Sequence, residues 1–159
     1  RVFHDPRGWF FESYTLKKYA EKGVSIEFVQ DNHSKSSRGV LRGLHYQVNR
    51  VQAKLVRVIQ GEVFDVIVDL RRDSPSYGLW DSEILSVDNR KQFWIPPGLA
   101  HGFFVLSKYA DLSYKFTEYY FPEHERCLIW NDPQIGIDWP TKDPIISSKD
   151  KNGHFFKDL

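Results

Sequence analysis

Two consecutive runs, Lys54-Leu-Val-Arg-Val-Ile-Gln60 and Val63-Phe-Asp-Val-Ile-Val-Asp-Leu70, constrain the fold of this chain more than any other feature. Both are rich in β-branched residues, and the break at Gly61-Glu62 reads as two short strands joined in a hairpin pivoting on Gly61. In the second run Phe64, Val66, Val68 and Leu70 share one face, and Val63, Asp65, Ile67 and Asp69 share the other. Further strands are expected at Ser82–Val87, Gln92–Ile95, Phe103–Ser107 and Leu112–Tyr120. Turn signals stand in Arg72-Asp-Ser-Pro-Ser-Tyr-Gly78 and at Pro96-Pro-Gly98. Only Leu16–Lys22 and a stretch after Ser147 read as helical. Many short strands with frequent turns predict an all-β sandwich or barrel.

A length of 159 residues suits one domain, 1–159, that buries roughly 70% of its unfolded surface without disulfide or metal staples. From Asp132 the composition shifts toward Pro, Lys and Asp, so residues 132–159 are expected as an arm over the barrel or over a neighbouring subunit. Aromatic residues reach 16%, which excludes intrinsic disorder. Net charge is +1, so no global field recruits nucleic acid or an anionic membrane, and a phosphate-bearing partner needs a local cluster. No apolar run is long enough for a membrane span. The single cysteine, Cys127, excludes an internal disulfide and fits a reducing cytoplasm.

Polar chemistry concentrates in Gln30-Asp-Asn-His-Ser-Lys-Ser-Ser-Arg-Gly-Val-Leu-Arg-Gly-Leu-His-Tyr-Gln47. Its first half reads equally as a surface loop. Its second half alternates, placing Leu41, Gly43 and His45 on one face of a strand and Arg42, Leu44 and Tyr46 on the other. Inside a barrel one such face would meet a lumen, where polar side chains point to a ligand. A second island, Trp94-Ile-Pro-Pro-Gly-Leu-Ala-His-Gly-Phe103, carries a Pro-x-Gly-x-x-His pattern that resembles the second motif of cupins. The first cupin motif supplies His-x-His and a carboxylate; here it is His45-Tyr-Gln47. Glutamine is a poor transition-metal ligand, so no metal and no other cofactor is expected.

Taken with Asp5-Pro-Arg-Gly-Trp-Phe-Phe-Glu12, Phe28-Val-Gln-Asp-Asn-His-Ser34, Ala53-Lys-Leu-Val56, Ile129-Trp-Asn-Asp-Pro133 and Ile137-Asp-Trp-Pro140, these segments resemble the dTDP-4-dehydrorhamnose 3,5-epimerase family. The resemblance implies a cupin-type jelly roll that inverts C3 and C5 of a dTDP-4-keto-6-deoxyhexose through an enolate, in deoxysugar biosynthesis. It implies His45 as base, Asp150 as the carboxylate fixing its tautomer, Tyr114 as acid on the opposite face and Lys54 as the cation for the enolate oxygen. Asp65 is a rival partner for His45, since its strand reaches the same lumen. His101 would polarise the keto oxygen or hold a hydroxyl. Arg7, Arg42 and Lys149 would bind the diphosphate, and Tyr120 would stack on thymine. Glu12, Gln30, Asp31, Asn32 and Glu125 would meet sugar hydroxyls and base edges. By the same resemblance the family's first N-terminal strand is expected to be missing from this sequence. The resemblance also implies a homodimer with exchanged N-terminal strands, Arg7 and Glu12 serving the neighbour's site.

On residue type alone, Lys54 reads as an exposed strand end, Asp150 as a solvated charge and Tyr114 as a packed aromatic. Three other functions compete: a relative inverting a single carbon, a sugar-nucleotide-binding cupin without catalysis, and a metallo-cupin oxygenase, which the His45-Tyr-Gln47 triplet disfavours.

Overall fold

The computed structural model describes residues 1–159. Val2–Asp5 (β1) and Gly8–Phe11 (β2) pair as a hairpin, followed by helix α1 (Leu16–Ala20). Nine strands come next: β3 (Gln30–Ser37), β4 (Leu41–Gln47), β5 (Lys54–Gln60), β6 (Glu62–Asp69), β7 (Trp80–Ser86), β8 (Gln92–Ile95), β9 (Leu99–Val105), β10 (Tyr109–Phe116) and β11 (Glu125–Cys127). The last helix, α2, spans Ser148–Lys151. β3-β10-β5-β8 form one antiparallel sheet and β11-β4-β9-β6-β7 the other. The architecture is the expected all-β, cupin-type jelly roll, and no helix is long and apolar enough to cross a membrane.

The alternation read in β6 explains how the core divides. Val63 and Ile67 join Val56, Leu85, Val105, Leu112 and Phe116 between the two sheets. Val66, Val68, Phe64 and Leu70 lie on the other face, in a second cluster with Leu41, Leu44, Phe104, Trp139 and Phe156. That second cluster is roofed by the C-terminal segment. Bridges Val40↔Ile145 and Leu128↔His154 hold this roof, and the buried Asp132 carboxylate accepts from the Gln134, Ile135 and Phe156 N–H groups. With both faces covered, all seven residues of β9 are buried.

Four readings change. β5 and β6 do not pair: β5 lies between β10 and β8, while β6 lies between β9 and β7. Gly61 instead carries the chain from one sheet to the other at φ +81, where a Cβ would stand 1.9 Å from the Tyr109 carbonyl oxygen. Strand bounds also move, because hydrogen-bonded partners rather than composition end each ladder: β9 begins at Leu99 and β10 runs Tyr109–Phe116. The polar run from Gln30 is a strand, paired along its length with β10. It shows no apolar alternation because part of it lines a cavity while the rest meets solvent.

The fourth change concerns β4. Arg42 opposes Phe103 and His45 opposes His101, so two residues of β4 stand against one of β9. This bulge resets the period-two alternation, and Arg42 and His45 face the same cavity instead of opposite sides. Gly43 makes the bulge possible. It sits at φ +118, and a Cβ there would lie 2.5 Å from Gly102 Cα and 2.7 Å from the His101 carbonyl oxygen. Gly43→Ala is therefore expected to cost about 1–3 kcal/mol, or more where the strands separate. A chemical-denaturation midpoint unchanged from the parent would refute this account of the bulge.

Candidate active site

The two sheets part at one end around a cavity of about 510 Å³. From β4 come Arg42 and His45, from β5 Lys54, from β9 His101, from β10 Tyr114 and Phe116, from β11 Glu125, and from β3 Asp31, Asn32, His33 and Ser34. Tyr120, Gln47 and Gln52 also line the cavity.

His45 belongs to the five-stranded sheet. Its Nε2 lies 2.7 Å from Asp150 Oδ1, and Asp150 Oδ2 accepts the Gly43 N–H at 3.1 Å. Ser147 caps the one-turn helix that carries Asp150, its hydroxyl accepting the Asp150 N–H. Burial works against charge on Asp150, but the His45 ring, the Gly43 amide and the Ser147 hydroxyl together hold it below the usual carboxylate range. A carboxylate can only accept, so Nε2 carries the proton and Nδ1 keeps its lone pair. Asp65 is not the partner of His45. It is fully buried and lies 2.9 and 3.1 Å from His101 Nε2, making a second histidine–aspartate pair. Burial pushes His101 down despite that carboxylate, favouring its neutral form.

Tyr114 comes from the opposite, four-stranded sheet, its hydroxyl 2.8 Å from Ser34 Oγ. Burial raises it above its ordinary value, and the Ser34 hydrogen bond offsets only part of this, so the phenol is protonated. Lys54 is buried rather than exposed, donating to the His45 carbonyl oxygen at 3.1 Å. Desolvation lowers its amine to about 8, against the opposing pull of Asp65 and Glu125. The ammonium form still dominates at neutral pH.

At the mouth, Tyr120 donates to Glu125 Oε2 at 2.6 Å, and the same oxygen is in contact with the Lys149 ammonium. Burial opposes charge on Glu125, yet these two partners hold it below its ordinary range. Arg42 is steadied by Ser36, which accepts from its Nε at 2.9 Å. Gln30 stands behind the wall, donating to Asn32 and accepting the Tyr120 N–H. Asp31 is tied to Lys115 at 3.0 Å. Arg7 and Glu12 do not reach this cavity: they pair with Asp5 and Lys18 on the exposed N-terminal segment. Lys149 touches the site through Glu125 and does not line it.

Three contributors escaped the sequence reading. Ser34 orients the phenol, which no local pattern announces because it depends on pairing with a distant strand. Gln47 and Gln52 hold the loop at the mouth through the Arg50, Glu118 and Tyr119 carbonyls, and Gln47 Oε1 accepts the Phe121 N–H. At the cupin ligand position Gln47 is thus engaged by backbone groups.

The family described as dTDP-4-dehydrorhamnose 3,5-epimerase matches residues 1–158. The chain belongs to this family. A dTDP-4-dehydrorhamnose 3,5-epimerase from Pseudomonas aeruginosa is 59% identical over 99% of this chain and 88% of its own length. A dTDP-6-deoxy-D-glucose-3,5-epimerase from Legionella pneumophila, solved with dTDP-4-keto-L-rhamnose, matches with a TM-score of 0.96 at 51% identity, covering 99% of this chain and 85% of that one. A 3'-monoepimerase from Streptomyces bikiniensis, solved with dTDP-quinovose, matches with a TM-score of 0.90 at 30% identity over 98% and 80%. Similar folds therefore occur in proteins named for double and for single inversion.

Lys54 supplies a test of the electrostatics. Its amine titrates near 8 when folded against 10.5 when free, so the unfolded chain binds more protons between those values and stability rises with pH across that window. Below about 8 the full cost is present, on the order of 3 kcal/mol. Lys54→Met is expected to raise the thermal midpoint at pH 7 by several degrees, at about 2–4 °C per kcal/mol for a chain this size. The gain should shrink as pH rises from 8 to 10.5. A midpoint that falls at pH 7 would contradict the assignment.

Proposed function

We infer that this chain epimerises C3 and C5 of a dTDP-4-keto-6-deoxyhexose, the reaction named for its relatives. One observation carries the inference: an imidazole from one sheet and a phenol from the facing sheet line the same cavity, with a buried lysine beside them. A C–H beside a ketone is weakly acidic, so inversion needs a base on one face, an acid on the other and stabilisation of the enolate. His45 Nδ1 takes the proton as the C–H electron pair moves toward the ketone oxygen. The Lys54 ammonium meets the developing oxyanion where low dielectric strengthens their attraction. Tyr114 then delivers its proton from the opposite face and regains one from solvent, while His45 releases the one it took. Repeating the sequence at the second carbon completes the double inversion. Asp150 keeps Nδ1 unprotonated, and His101, held by Asp65, offers a hydrogen bond to the keto oxygen or a hydroxyl.

The nucleotide would lie across the mouth, thymine on Tyr120 and the diphosphate against Arg42 and Lys149, since guanidinium forks match phosphate oxygens without a metal. Asp31, Asn32, Gln30 and Glu125 supply polar contacts around it. We read residues 1–159 as one catalytic domain working in the cytoplasm. The expected products of His45→Ala and Tyr114→Phe differ. In D₂O, His45→Ala should lose exchange at both carbons, by about 10²–10⁴-fold, while still binding dTDP. Tyr114→Phe should retain early exchange at one carbon and lose inverted product. Deuterium entering only one carbon with the parent enzyme would favour single inversion, and no exchange at all would leave a binding protein.

The exposed N-terminal hairpin is read as half of an interface between two copies. Phe3 and Phe10 oppose each other on it, 50% and 68% exposed, and unpaired apolar strand edges favour association. In that arrangement Arg7 and Glu12, stranded from their own cavity, would serve the neighbour's. Phe3→Asp combined with Phe10→Asp is expected to yield monomers in sedimentation, with weakened substrate binding. A variant dimer of parental KM would exclude this role for the hairpin.

A further inference from the structure

Cys127 takes no part in the reaction above, yet it adjoins the pair that controls the base. It stands directly opposite His45 in the β11–β4 register, which puts both side chains on one face of the sheet. Its Sγ, a His45 ring nitrogen and an Asp150 carboxylate oxygen all lie within 4.8 Å of one another. Its thiol donates only weakly to the Leu128 carbonyl oxygen, at 3.5 Å. Cys127 and Asp150 do not line the sugar cavity, so the cluster lies behind the imidazole.

We propose that His45, Asp150 and Cys127 form an inhibitory site for a thiophilic divalent cation such as Zn²⁺ or Cd²⁺. Thiolate, imidazole and carboxylate are the donors that zinc selects, with the fourth position left to water. Metal–ligand bonds of about 2.0–2.3 Å place ligand atoms about 3–4 Å apart, so the cluster closes on a cation with movements of about an ångström. The proton balance explains the inhibition. The Cys127 S–H gives its proton to solvent as the sulfur–metal bond forms. As Nε2 bonds the metal its proton passes to solvent and Nδ1 takes one from solvent in exchange, so the ring stays neutral with its single hydrogen now on Nδ1. Nδ1 is the atom that must accept the substrate proton, and freeing it would now require an imidazolate. The cation therefore takes the place of the proton with which Asp150 sets the tautomer. Nucleotide binding, which falls to other residues at the mouth of the cavity, does not use these three ligands.

Sulfur is a soft donor and Mg²⁺ a hard cation that prefers oxygen ligands, so Zn²⁺ or Cd²⁺ engages Cys127 and Mg²⁺ does not. The effect on turnover rests on the epimerase reading; the binding does not. The test adds Cd²⁺, Zn²⁺ or Mg²⁺ to the purified protein and to its Cys127→Ser and Cys127→Ala variants. Because Cys127 is the sole cysteine, a thiolate-to-cadmium ultraviolet band reports this sulfur alone. We expect that band with the parent protein and neither variant. We expect loss of turnover at unchanged dTDP affinity, reversed by EDTA, with Cys127→Ser needing about 10- to 100-fold more cation. Absence of the band, equal sensitivity of the variants, or equal inhibition by Mg²⁺ overturns the proposal. A parent protein without epimerase activity that still develops the band would sink the functional reading and leave the site standing.

Discussion

The bulge in β4 is the constraint on which the site depends. Without the extra residue at Gly43-Leu44, Arg42 and His45 would point to opposite sides of the five-stranded sheet, and a guanidinium and an imidazole could not share this cavity. The same bulge frees the Gly43 N–H to meet Asp150, so the backbone distortion that turns His45 inward also helps seat its carboxylate. Close approach of Gly43 to Gly102 on β9 leaves no space for a side chain. A packing detail between two strands thus sets the geometry of the cavity.

Two layers of hydrophobic packing hold that geometry. The cluster between the sheets sets how far His45 stands from Tyr114, and the outer cluster anchors the C-terminal segment that delivers Asp150. The roof is accordingly part of the machinery. Asp132, far from the reaction, gathers the Gln134, Ile135 and Phe156 amides and stabilises the segment whose next helix carries the partner of His45. Buried polar groups require such partners, because each one left unpaired costs about 1–3 kcal/mol.

The interior electrostatics run against stability and toward reactivity. Two histidine–aspartate pairs and a buried lysine occupy a space that apolar residues could fill. Burial leaves Lys54 with an amine near 8 and His101 favouring neutrality, while Tyr114 keeps its proton. Groups shifted this way by burial and specific charged partners in one cavity mark a candidate functional site. The cost falls on a core that two covered sheet faces can sustain.

Strand composition, the two-faced pattern of Val63–Leu70 and the Pro-Pro-Gly break were legible along the chain, because alternation and turn chemistry are local properties. Motif likeness carried His45, Tyr114, Lys54 and Asp150, although on residue type alone three of them read as ordinary surface or packing residues. What no local pattern holds is which strands pair. Register across β4 and β9 decided that Arg42 and His45 share a wall, and pairing of β3 with β10 brought Ser34 to Tyr114. The choice between Asp150 and Asp65 also waited on the fold, since it turns on distances between residues far apart in sequence. Residue identity determined the available chemistry; long-range pairing and burial, which are properties of the packed whole, decided where each group stands and what charge it keeps.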